Sequence, residues 1–126
     1  MDLFAKLRDS LKAKHPTIAV SVRRCRMSKR LLGDCCRQVD HFLIRVDASQ
    51  PEQGQLDTLV HEFAHAVAFL EFEETGQHGP IWASAYADCY RIYEQIATSP
   101  KKPQSFFPAF SLAKRLFREK LWYLYG

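Results

Sequence analysis

Apolar residues recur at helical spacing in four stretches of the chain and at alternate positions in two. Leu3, Leu7 and Leu11 stand four apart and predict an amphipathic helix over residues 2–14, ended by Pro16. Residues 17–24 alternate, with Ile18, Val20 and Val22 on one side, and predict a strand. Residues 28–37 are basic and hold Gly33–Asp34, which reads as a turn. A second strand is predicted over residues 41–47, with Phe42, Ile44 and Val46 on one face.

A long helix follows, over about residues 52–72, with Leu56, Leu59, Val60, Phe63, Val67 and Leu70 at helical spacing. Ser49 and Glu52 have capping-box spacing, and Pro51 suits a first turn. Residues 73–79 form a polar loop with two glycines. Pro80 opens a helix over residues 80–97, with Trp82, Ala85, Tyr86, Cys89, Tyr93 and Ile96 as its buried stripe. Residues 98–108 carry three prolines and read as a linker. Residues 109–124 predict a last helix, with Phe110, Ala113, Phe117, Leu121 and Leu124 on one face and Lys114, Arg115 and Arg118 elsewhere.

A length of 126 residues fits one domain over 1–126 with one core. No apolar run approaches the roughly 20 residues of a membrane span. The first residues mix charge with apolar groups and lack the apolar centre of an export signal, so a cytoplasmic protein is expected, in a cell or an infected cell. Cys25, Cys35, Cys36 and Cys89 form no Cys-x-x-Cys pair, which argues against a zinc ribbon. The net charge of +4 hides an asymmetry: +6 over residues 1–48, −7 over 49–99 and +5 over 100–126. Basic flanks can hold a polyanion, nucleic acid being the commonest inside cells. The residues that would do so are Arg23, Arg24, Arg26, Lys29, Arg30, Lys114, Arg115 and Arg118. A solvated surface explains the same charges.

The chemistry lies in His61-Glu62-Phe63-Ala64-His65. Residues four apart on a helix share a face, so His61 and His65 can bind one zinc ion together. Glu62, about 100° further round the helix, can reach a water beside that ion and take its proton. A catalytic zinc usually has three protein ligands. His78 is the best-placed third, at a turn before Gly79-Pro80 that can bring the chain back over the first helix. Asp88, from the following helix, is an alternative. Glu71 is another, but it needs a glycine at the position held by Ala68.

His61-Glu62-x-x-His65-Ala66, followed by His78-Gly79-x-x-Trp82, resembles the SprT-like metallopeptidase domain. The stretches Met27–Arg30, Leu32–Cys35 and Phe42–Asp47 are similar to that family's strand-turn-strand, and the likeness covers about residues 15–97. The resemblance implies an α+β fold: a small zincin-like domain, with a short, mainly antiparallel sheet packed on a zinc-binding helix and further helices on both sides. It implies Zn2+ on His61, His65 and His78, Glu62 as catalytic base, and Trp82 packed beside the site. Eukaryotic relatives cleave proteins crosslinked to DNA and are activated by DNA, so a DNA-linked role is also implied. Many members carry a C-terminal zinc ribbon, whereas this chain has a basic amphipathic segment there.

Three functions therefore compete. The first is a zinc metalloendopeptidase acting on protein substrates, including DNA-associated ones. A peptide could add to the strand at 41–47 along the cleft. Tyr86, Tyr90, Tyr93 and the C-terminal tyrosines are candidates for stabilising the oxyanion. The second is a nucleic-acid-binding protein with a structural or vestigial zinc. The third is a stand-alone regulatory protease without DNA.

Overall fold

The computed structural model describes residues 2–28, 30–72 and 78–97, with the backbone alone for 70–72. Its elements are α1 (Leu3–Lys14), β1 (Val20–Cys25), β2 (Gly33–Arg37), β3 (Phe42–Asp47), α2 (Glu52–Phe72) and α3 (Pro80–Ala97). The fold is α+β, as expected. The linker at 98–108 and the helix at 109–124 lie outside the described residues.

Asp2 caps α1 by accepting a hydrogen bond from the Ala5 N–H at 2.7 Å. Phe4, Leu7 and Leu11 point inward, with Phe4 taking the place expected for Leu3. Ser49 does not cap α2. It donates its hydroxyl to Asp47 at 2.8 Å. Asp47 also accepts from the backbone N–H groups of Met27 and Ser49, which ties the strand ends together.

The sheet has the order β1-β3-β2. It is mixed rather than mainly antiparallel: β1 runs parallel to β3, and β2 runs antiparallel to it. The parallel pair arises because β2 intervenes in the chain. The stretch read as a turn is thus a strand, with Cys35 opposite Ile44 and Cys36 opposite Leu43. Gly33 is there for space. A Cβ on it would overlap the Thr58 Cγ2 and lie 2.7 Å from the Arg45 carbonyl oxygen. The glycine lets α2 sit directly on the sheet.

Helix α2 is the centre of the fold. It packs on β2 and β3 on one side and on α1 and α3 on the other. Every residue from Leu56 to Ala68 is buried, polar ones included. A helix enclosed all round is a core helix, not the half-exposed one that its periodicity suggests. Asp57, Thr58, His61, Glu62 and His65 are therefore internal.

Candidate metal centre

His61 and His65 lie on successive turns of α2 and face α3. His78 precedes α3, which Pro80 starts with its fixed φ and missing N–H. That start brings the His78 ring over the other two. The His78 Nε2 lies 3.2 Å from the Nε2 of His65 and 3.2 Å from that of His61. Ligand atoms of the three residues all fall within 4.8 Å of one another, and no other such group occurs among the described residues.

These distances fit a metal ion. Zn–N bonds of about 2.0–2.1 Å in a tetrahedron place neighbouring nitrogens about 3.3 Å apart. Three converging ring nitrogens cannot all be satisfied by protons, because each N–H serves one acceptor. A cation satisfies all three. The donor set of three imidazoles suits zinc and leaves a fourth position open.

The surroundings keep the imidazoles neutral, the form that binds metal. Burial holds His61 well below the usual imidazole range, with His65 and His78 adding to the effect. Burial, then His78, brings His65 down to about 3. His78 is exposed on its outer side and is lowered less, again by desolvation. Trp82 forms the wall, its ring centre 4.9, 5.5 and 4.6 Å from those of His61, His65 and His78. Tyr86 stacks on Trp82 at 4.9 Å and meets His61 edge-on.

Glu62, about 100° round α2 from His61, points towards the sheet. Its Cγ is 3.7 Å from the point where a Cβ on Gly33 would lie. Glu62 is 0% exposed, and neither carboxylate oxygen has a hydrogen-bond partner among the described residues. Burial pushes its pKa well above the usual carboxylate range, and the nearby Asp34 carboxylate pushes the same way. A buried carboxyl with no partner is costly.

Other expected residues fall as follows. Asp88 is exposed and pairs with Arg91 at 2.7 Å, so it is not part of the histidine group. The Glu71 side chain lies outside the described residues. The hydroxyls of Tyr86 and Tyr90 are buried, and Tyr93 accepts from Gln53 at 2.5 Å. The C-terminal tyrosines lie outside the described residues. Strand β3 is central and paired on both sides, so it has no edge for a peptide. Among the described residues β2, which begins beside Glu62, has a strand neighbour on one side only.

Arg23, Arg26 and Arg30 are exposed. Arg24 is engaged, pairing with Asp2 at 2.9 Å and lying 4.4 Å from the Phe4 ring centre. Lys29, Lys114, Arg115 and Arg118 lie outside the described residues. Among the described residues no helix is long and apolar enough to cross a membrane. Two buried acids went unnoticed in the sequence. Asp34 is held by Arg45, with one contact of 2.9 Å from Nε. Asp57 lies one helical turn before His61, a spacing that could have drawn attention to it.

No curated protein and no solved structure matches the chain. The model of one family, described as the SprT-like family, matches residues 1–102. That span holds every element described above, including the three histidines and Glu62. The chain belongs to the SprT-like family.

Proposed function

We propose that the protein is a zinc-dependent metalloendopeptidase, with Zn2+ on His61, His65 and His78 and Glu62 as general base. The observation that carries this reading is the pairing of three converging ring nitrogens with a buried, unpartnered carboxylate one residue along the same helix. Zinc, when bound, supplies a Lewis acid that polarises the scissile carbonyl and makes water more acidic. Glu62 takes the proton from the attacking water, and the water oxygen bonds to the carbonyl carbon. As the C–N bond breaks, Glu62 returns the proton to the leaving amine. A peptide's carbonyls and N–H groups would add beside β2, which has one strand neighbour among the described residues, and such pairing gives broad sequence tolerance.

The test uses the full chain and an unfolded protein substrate, with and without DNA. Cleavage should stop when zinc is chelated and return when zinc is restored. Cleavage indifferent to chelation contradicts the reading.

A second reading adds nucleic acid as a partner. It is supported by exposed Arg23, Arg26 and Arg30 on β1 and the segment after it. DNA held by these charges would recruit substrates, and its binding should weaken steeply with salt. Binding that is unchanged between low and high salt contradicts an electrostatic surface. Zinc and DNA binding without cleavage would favour a binding protein, and cleavage indifferent to DNA would favour a stand-alone protease.

A further inference from the structure

We propose that Asp57 is the second charge partner of the metal centre, its carboxylate acting with Glu62 to balance a dication held by the three histidines. The inference rests on the metal reading above and concerns a residue outside the histidine group itself. Three neutral imidazoles bring no negative charge to a divalent ion. A nearby carboxylate would lower the cost of holding such a charge beside buried groups.

Four carboxylates are buried among the described residues: Asp34, Asp47, Asp57 and Glu62. Asp34 is paired with Arg45. Asp47 is engaged by Met27 and Ser49 at the strand ends. Asp57 and Glu62 remain, and neither has a cationic partner among the described residues. Asp57 is 4% exposed and accepts a hydrogen bond from the Gln53 amide at 3.2 Å. Four residues along α2 amount to about 6 Å of rise, on the face that carries His61.

Tyr86, Tyr90 and Tyr93 on α3 lie within electrostatic reach of Asp57, and Gln53 donates to it one turn back along α2. These are poorly screening neighbours, so a carboxylate one turn before His61 would act on an ion held by that ring. Tyr86 joins the two places, since it also touches His61 and Trp82. Without a cation the same surroundings disfavour the charge, and burial pushes Asp57 up to about 7.

The two consequences have opposite signs. Asp57→Asn removes a charge that the metal-free fold tolerates poorly, so the metal-free chain should become more stable. It also removes a charge that zinc uses, so zinc should bind more weakly. The pH dependence follows. In the metal-free fold Asp57 keeps a proton that the unfolded chain has lost, so its stabilising contribution falls as pH rises from about 4 to about 7. The gain from Asp57→Asn is therefore largest above pH 7 and closes near pH 4.

The experiment compares the full chain with its Asp57→Asn and Asp57→Leu variants. Denaturant midpoints are measured without metal at pH 5 and pH 8, and zinc affinity is measured by competition with a chelator. The expected result is a raised midpoint at pH 8 together with a zinc dissociation constant about ten- to a hundredfold higher. Leucine repeats the test without an amide to satisfy, so either variant alone can decide. Affinity equal to that of the unaltered chain, or both quantities falling together, overturns the proposal. An unaltered chain that binds no zinc overturns the metal reading and this inference with it. Normal zinc binding by both chain and variants overturns this inference alone.

Discussion

Glu62→Gln is expected to slow peptide hydrolysis by about 10²- to 10⁴-fold, the range that general acid–base catalysis supplies. Glutamine has the shape of glutamate and fits the same enclosed space between α2 and Gly33. It cannot take a proton from water, so only proton transfer and one negative charge are lost. The three imidazoles remain, and the variant should still take up zinc at saturating metal, though less tightly. The measurement is initial cleavage rate at saturating zinc, with metal content determined on the same sample. A zinc-loaded variant that cleaves as fast as the unaltered chain removes Glu62 from the mechanism.

Gly33→Ala should have the largest effect on stability. Its methyl group would meet the Thr58 side chain and, at 2.7 Å, the Arg45 carbonyl oxygen. Thr58 is itself pinned, donating to Gly54 O at 2.8 Å and accepting from Gln50 at 3.2 Å. Arg45 belongs to the central strand, whose carbonyls are fixed by two neighbours. Neither side can yield without moving α2 off the sheet. A loss of about 3 kcal/mol or more is expected, the upper end for overpacking. Because α2 carries His61, Glu62 and His65, zinc affinity should fall as well. Equilibrium unfolding in denaturant measures the first effect. A midpoint equal to that of the unaltered chain would refute the close approach.

Long-period patterns were legible in the sequence, and contacts between distant segments were not. Both long helices begin and end where their periodicity and prolines place them, at Glu52–Phe72 and Pro80–Ala97. Strand β3 alternates as Phe42, Ile44 and Val46 require. Strand β2 was hidden because Gly-Asp-Cys-Cys-Arg has no alternation and begins with a turn-like pair. Its glycine answers to Thr58 and Arg45, which are distant in sequence. Likewise, Arg24 looks like a free surface cation until Asp2, 22 residues away, is brought beside it.

The candidate site was legible for a related reason. Four-residue spacing and a glycine-proline start are local signals, and they bring His61, His65 and His78 together. Periodicity, however, reports one buried face of a helix. It does not report that α2 is covered on all sides, so it gives no sign that Asp57 is enclosed. The sheet edge that borders Glu62 also depends on strand order, which local sequence does not encode.

One zinc ion on three histidine nitrogens, from α2 and the start of α3, is the arrangement on which the proposed chemistry depends. X-ray absorption at the zinc edge, on the full chain carrying all four of its cysteines, tests it most directly. The expected result is one zinc per chain, with nitrogen neighbours at about 2.0–2.1 Å and three imidazole rings in the outer scattering. Sulfur neighbours at about 2.3 Å, or a chain that takes up no zinc, would contradict it.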